Sequence, residues 1–432
     1  MTWQNWAGTA TATPARRYWP RTVDAIADAV RDAAKAGLTV RALGSGHSFT
    51  PAAATAGVAV DLSGWTGVVS ADGQTGLVTV RSGTTLRQLN ASLDALGLAM
   101  PNLGDIDAQT ISGAISTGTH GTGAGLGGLA TQVEALELVT ADGSLISVSA
   151  TENPELFAAA RVSIGALGVI ATVTLRCVPA FRLAADERPM PLDEVIERFD
   201  EHAAGNDHFE FYWFPYGRNA LVKRNNRVAV NEGSGPMPGW RRFLEYEVME
   251  NAAFGALCRT GRAVPSLVRP LGKVAAATLS ARSYSAGSHH VFVTPRRVRF
   301  VESEYALPRE SVLDVLAELR AAVPRLAQPV MFPVEIRVAA ADDIWLSTAY
   351  GRDTAYIAIH QYAGMPYQEY FAVFESIAAA AGGRPHWGKM HTLGAGQLGA
   401  LYPKFADFLR VRDEADPGRR FANPYLEQVL GG

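Results

Sequence analysis

Glu335 and Arg337 stand two residues apart in Pro333-Val334-Glu335-Ile336-Arg337, where alternation predicts a strand and sends both side chains to one face. A carboxylate beside a guanidinium on an apolar segment usually forms a structural ion pair. On the wall of a pocket the same two groups can exchange a proton and hold developing negative charge. Lys389 closes Pro385-His386-Trp387-Gly388-Lys389 and reads either as a solvated loop charge or as a fixed cation. His360, in Ile357-Ala358-Ile359-His360-Gln361-Tyr362, shares a predicted strand face with Ala358 and Tyr362. It reads as a core histidine or a pocket residue, and Tyr362 is a candidate substrate contact. His289 and His290 have no partner at metal-ligand spacing and read as structural; no metal site is expected.

Three glycine-rich segments supply backbone rather than side-chain chemistry. Arg41-Ala42-Leu43-Gly44-Ser45-Gly46-His47-Ser48-Phe49 follows a predicted strand, so its amides can converge on an anion. It lacks the third glycine and the following helix of a dinucleotide fingerprint, and a plain structural turn fits it equally well. Thr117-Gly118-Thr119-His120-Gly121 offers hydroxyl and amide donors suited to a pyrophosphate, or is a surface loop. The formal match at Gly123, Gly125 and Gly128 has no preceding strand and reads as chance. Gly165-Ala166-Leu167-Gly168-Val169-Ile170 lets a flat ring lie against backbone, or lets a helix and strand pack closely.

These groups must be positioned by a sizeable protein. The chain has 432 residues, 48% of them hydrophobic, which suggests two or three domains. Its net charge of −3 leaves no basic excess for a phosphate backbone, so a nucleic-acid partner is not expected. Two cysteines, Cys177 and Cys258, exclude a disulfide scaffold, an iron–sulfur site and a thiolate zinc site, and point to a reducing cytoplasm. Arg16 and Arg17 precede no apolar run, so no secretory leader is expected; the uncharged run 162–175 is too short to span a bilayer. Arg259, Arg262, Arg269 and Lys273 punctuate the apolar stretch 254–279, but Pro265 and Pro270 interrupt it. A solvated face is therefore expected there rather than a membrane-surface helix.

The pattern predicts a helix from Thr22 to Gly37, strands at 38–43, 58–62 and 77–81, and a helix carrying Leu86, Leu89, Leu93 and Leu96. A hairpin at 133–148 turns on Ala141-Asp142-Gly143, and a helix follows at 153–161. Beyond residue 180, strands are expected at 289–292, 300–306 and 356–362, with helices at 311–323 and 368–381. This mixture is α+β.

The ordered set Gly44-Ser45-Gly46-His47-Ser48-Phe49, Pro101-Asn102-Leu103-Gly104, Ser112-Gly113-Ala114-Ile115-Ser116-Thr117-Gly118-Thr119-His120-Gly121, Gly165 to Ile170 and Pro385 to Lys389 resembles the vanillyl-alcohol-oxidase superfamily of flavoproteins. Within it, the pattern is similar to the aldonolactone oxidase and alditol oxidase group, from Trp3-Gln4-Asn5-Trp6 to Asn423-Pro424-Tyr425-Leu426. The resemblance implies an α+β fold: a two-part FAD-binding domain (1–178, with a returning segment 386–432) and an inserted α+β substrate cap (179–385).

It implies FAD as cofactor, bonded covalently through His47. It places Arg41, Gly44, Ser45, Gly46, Ser48, Gly104, Thr110, Gly113, Thr117, Gly118, Thr119, His120, Gly121, Val169, Ile170 and His386 around that cofactor. Glu335, Arg337 and Lys389 become the catalytic candidates, and Asp105, Glu335, Arg337, Tyr362 and Lys389 the substrate contacts. Glu335 would bind or deprotonate the reacting hydroxyl, while Arg337 and Lys389 supply positive charge. A bound redox cofactor also fits elementary chemistry, since no side chain here can accept a hydride.

Related lactone dehydrogenases carry alanine where this chain has Gly104, so the expected reaction is oxidation by oxygen, yielding hydrogen peroxide. His208-Phe209-Glu210-Phe211-Tyr212-Trp213 and Glu304-Tyr305-Ala306-Leu307-Pro308 resemble the aldonolactone branch. A sugar-1,4-lactone of the L-gulono or D-arabinono type is therefore expected as substrate, giving an ascorbate-type enediol. The alternatives are a polyol oxidised at C1, a lactone dehydrogenase using another acceptor, and a flavin-binding protein without turnover.

Overall fold

The computed structural model describes residues 2–229 and 232–432. The first unit is a parallel sheet in which Val58–Asp61 lies between Arg16–Tyr18 and Val40–Leu43. Its crossover is the helix Val23–Lys35, capped by the Thr22 hydroxyl, which accepts from the Ala25 amide at 3.1 Å. Ile26, Ala29, Val30 and Ala33 are fully buried, as a helical stripe facing a sheet must be. A second sheet, all antiparallel, has the order Leu145–Ser149, Val133–Val139, Val169–Arg176, Leu77–Arg81, Val68–Asp72. Beside it runs Leu86–Ala95, started by a Thr85–Gln88 capping box; it buries Leu86, Leu89 and Leu93 and leaves Leu96 exposed.

The third sheet carries the candidate chemistry. Its eight antiparallel strands run Arg282–Gly287, Arg182–Pro191, Asn219–Val228, His208–Trp213, Val334–Ala339, Thr354–Tyr362, Phe300–Pro308, Arg384–Pro385. Two features tie this sheet to the glycine loops. The Gly123 amide donates to Val338 O at 2.8 Å, and the Val338 amide donates to the Thr122 hydroxyl at 3.2 Å. The C-terminal stretch then clasps the first unit. The Val40 amide donates to Arg420 O at 2.7 Å, Arg41 Nη1 donates to Phe421 O at 2.7 Å, and Asn423 Nδ2 donates to Ala54 O at 2.8 Å.

The architecture is α+β. Residues 289–292 are an exception to the sequence reading: Ser288–Phe292 is a short helix, not a strand. The true strand, Arg282–Gly287, ends just before it, and the helix turns Val291 into a small core with Leu183 and Tyr284. The helix Ile111–Ser116 was also not anticipated. The stretch 254–279 breaks as its prolines require, into Phe254–Ala263, a tight turn Pro265–Leu267 and Val268–Ala277. A π-helical run, Phe243–Ala253, precedes it. Among the described residues no helix is long and apolar enough to cross a membrane.

Candidate active site

The glycine loops converge on one cleft. Gly44, Ser45, Gly46, His47 and Ser48 form one wall, Thr110, Gly113 and Thr117 a second, and Gly165, Gly168 and Ile170 a third. Its close contacts allow no side chain at the key glycines. A Cβ on Gly44 would lie 2.5 Å from Thr110 Oγ1, and one on Gly168 (φ +152°) 2.7 Å from Val139 O. Gly46 (φ +70°) takes a left-handed turn that brings Ser45 to His47 around the cleft.

Arg41 braces this cleft, donating to Gly165 O at 2.9 Å and Ile164 O at 2.6 Å as well as to Phe421 O. Burial lowers its pKa to about 10, and its buried Nε has no hydrogen-bond partner among the described residues. A glycine-lined slot with an unspent guanidinium donor fits the pyrophosphate of a dinucleotide such as FAD.

Not every expected contact lies on the cleft. Val169 is buried in the core with Ile26 and Val30, because strand alternation turns Gly168 and Ile170 toward the cleft and Val169 away. Gly118 and Gly121 serve geometry instead: Gly118 turns the chain at φ +78°, and a Cβ on Gly121 would lie 2.5 Å from Leu103 O.

At its inner end the cleft opens into a chamber of about 60 Å³ lined by Trp6, His47, Gly104, Thr119, His120, Glu304, Arg337, His386 and Lys389. Beyond the chamber, a cavity of about 280 Å³ holds Asp105, Tyr212, Glu302, Glu335, Arg337, His360 and Lys389. Cross-strand register builds this wall. Tyr212 faces Glu335, Glu335 faces Ala358, and Ala358 faces Glu304, so one row crosses four strands with the smallest residue between two carboxylates. His360 is paired with Glu302 one step along.

The charges form two buried groups. Arg337 holds Glu335 at 2.9 Å and Glu304 at 3.4 Å, and Glu304 also meets His120 Nε2 at 3.3 Å. His120 stacks on Tyr356 with ring centroids 3.6 Å apart. In the second group Glu302 meets Lys389 Nζ at 2.5 Å and His360 Nε2 at 3.5 Å, while His360 Nδ1 contacts Pro333 O at 3.0 Å.

Protonation follows from these neighbours. Burial alone would raise both strand carboxylates, but Lys389 and His360 hold Glu302 down at about 2, and His120 and Arg337 hold Glu304 well below the usual range. Glu335 moves the other way: burial raises it, aided by the nearby carboxylates Glu210 and Asp105, and Arg337 only partly opposes this. Tyr212 donates to Glu335 Oε1 at 2.6 Å. Burial lowers His386 to about 3, and its Nδ1 accepts from the Gly388 amide at 3.0 Å, so this imidazole is neutral.

His120, Glu304 and His386 bring potential ligand atoms within 4.8 Å of one another. Arg337 beside Glu304 sets a fixed positive charge against a cation there, so the trio reads as part of the ion-pair network.

Asp105 lines the cavity but is spoken for by Arg296 at 2.9 Å. Tyr362 does not line it; its ring stacks on Phe332 and lies under Arg262, one strand repeat beyond His360. The sequence reading missed Glu302 as a site residue and took Glu304 only as a mark of kinship. Their alternation on an otherwise apolar strand is the same signal that singled out Glu335 and Arg337.

Residues 173–429 match the family model described as D-arabinono-1,4-lactone oxidase, and residues 14–149 match that of the FAD binding domain. The chain is 44% identical to the L-gulono-1,4-lactone dehydrogenase of Mycobacterium tuberculosis over 99% of both chains. It is 34% identical to the L-gulonolactone oxidase of Mus musculus over 99% of this chain and 98% of that one. In fold it is similar to a crystal structure of cholesterol oxidase from B. sterolicum, with a TM-score of 0.86 at 17% identity over 99% of this chain and 96% of that one. With its glycine-lined cleft opening onto a buried Glu–Arg–Lys wall, the chain belongs to the aldonolactone and alditol oxidase group of the vanillyl-alcohol-oxidase superfamily of FAD-dependent oxidoreductases.

Proposed function

We propose that this protein oxidises a sugar-1,4-lactone of the L-gulono or D-arabinono type at C2, with oxygen as the final acceptor and hydrogen peroxide as product. The observation that carries this reading is geometric: Glu335, held by Tyr212 at 2.6 Å and Arg337 at 2.9 Å, stands with Lys389 on one cavity wall, in a chain whose residues 173–429 match the D-arabinono-1,4-lactone oxidase family model. In this reading residues 1–178 and 386–432 hold the cofactor and 179–385 form the cap.

FAD, when bound, supplies the two-electron acceptor that the side chains lack. Glu335 takes the proton of the C2 hydroxyl, with Tyr212 fixing one of its oxygens. Arg337 holds the oxygen as it gains negative charge, and Glu304 keeps the guanidinium in place. Lys389, anchored by Glu302, adds a second fixed cation where the chamber meets the cavity. The carbinol loses two electrons and two protons, and the 2-oxolactone tautomerises to an enediol. Purified protein should turn over L-gulono- or D-arabinono-1,4-lactone with oxygen uptake; turnover confined to open-chain polyols refutes the lactone reading.

His47 is read as the covalent attachment point. It borders both cleft and chamber, and burial and the charge of Lys389 lower its pKa, which favours the neutral ring that such a bond needs. Acid precipitation should carry yellow colour into the pellet of the native protein and release it to the supernatant from His47→Ala. Colour released from both proteins rules the bond out.

Gly104 supports the oxygen assignment. A Cβ there would lie 3.2 Å from His120 O and 3.6 Å from Thr119 Cγ2, narrowing the chamber. Gly104→Ala should slow oxygen-linked turnover about tenfold, a barrier increase of about 1.4 kcal/mol, and spare turnover with an artificial dye. A second reading, a dehydrogenase using another acceptor, is favoured by the name of the 44% identical mycobacterial relative. Native turnover with dye but not with oxygen selects it.

A further inference from the structure

We propose that an outer groove beside His47 binds a planar, carbonyl-bearing two-electron acceptor of the quinone class, separately from the sugar. The groove has a volume of about 490 Å³, within the ordinary range of small-molecule sites. Trp6 and His47 line both this groove and the inner chamber, and their rings stack with centroids 5.7 Å apart. Trp6 and His47 therefore stand between the groove and the inner chamber, beside the proposed attachment point of the flavin. Phe243, 62% exposed, supplies a second aromatic wall.

The polar groups of the groove define the ligand. Asp107 is taken by Arg87 at 2.8 Å, Glu247 by Arg297 at 2.6 Å, and Arg296 by Asp105 at 2.9 Å. Two donors stay unspent. Thr294 is only 4% exposed, yet its Oγ1 has no hydrogen-bond partner among the described residues. Arg242 has no carboxylate within 4.0 Å among them. A buried hydroxyl without a partner costs free energy unless a ligand supplies an acceptor. Asp107 and Glu247 are each paired with an arginine, so the groove offers donors and aromatic faces more than free negative charge. A flat ring with carbonyl oxygens needs only donors and stacking faces, which is what the groove provides.

The chemistry balances. The sugar C–H and O–H bonds break and a C=O bond forms. The two electrons and two protons released convert both carbonyls of a quinone to hydroxyls, giving the quinol. This inference rests on the proposed placement of His47 at the edge of the flavin, and its test separates the two.

The probe is 1,2-naphthoquinone-4-sulfonate, titrated calorimetrically into the holoenzyme and into two variants. Thr294→Val removes the hydroxyl at nearly constant shape. Gly239→Trp fills the groove from a position where an added Cβ meets nothing within 4 Å. Both variants should weaken quinone binding about tenfold or more, the scale of a lost hydrogen bond in a site built around it, and reduce quinone-linked turnover to match. Anaerobic bleaching of the flavin by lactone should keep its native rate. Unchanged quinone affinity in both variants, or strict competition between quinone and lactone, overturns the proposal. A native protein that lactone fails to bleach refutes the functional reading instead, while the calorimetric comparison still reads the groove.

Discussion

Replacing Arg337 by Met should lower kcat/KM for the lactone by about 10²–10³, the usual consequence of removing one preorganised donor from a developing oxyanion. The loss should appear in kcat, with FAD still bound, because Arg337 lines the chamber and the cavity but not the glycine-lined cleft. Arg337→Lys should recover little. The guanidinium serves Glu335 at 2.9 Å, Glu304 at 3.4 Å and His120 O at 3.5 Å at once, and an ammonium cannot span that fork. Rapid-reaction measurement of flavin bleaching under lactone checks this directly. A Met variant within threefold of native would remove Arg337 from the mechanism.

Glu335→Gln should cost about 10²–10⁴ in kcat/KM and reshape the pH profile. The sign follows from the raised pKa of Glu335. The ionised form needed as a base is present above that pKa and lost as pH falls through it, so the native protein should show an acid limb above the usual range for glutamate. Glutamine cannot titrate, so the residual activity of the variant should lack that limb. Glu302 and Glu304 cannot produce it, because both are held below the usual glutamate range by paired cations. A variant that keeps the native acid limb would assign the base to another group.

Much of this site is legible in sequence because it is local. Alternation over five residues places Glu335 and Arg337 on one face, and the glycine loop around Gly44 stands out in composition, while its link to a cofactor comes from the resemblance. What is not legible arises across strands. Glu304 is 31 residues before Glu335, and only the sheet register, with Ala358 between them, makes the two carboxylates neighbours of one guanidinium. Burial then splits their proton affinities in a way no linear pattern records. The side chain of Val169 turns into the core, out of phase with Gly168 and Ile170 on the cleft, a distinction of face that depends on where the strand begins. Residues 289–292 were misread because four residues are too few to distinguish a strand from one helical turn.

The C-terminal clasp has a consequence for biogenesis. Arg41 finishes its set of carbonyl partners only at Phe421, which lies 380 positions further on. At roughly 5–20 residues per second, a ribosome needs on the order of 20–80 s to travel between them. Throughout that interval the nascent cleft lacks its last brace. The fully braced cleft therefore forms only after residue 421 has been made, so the last step of its assembly falls late in synthesis.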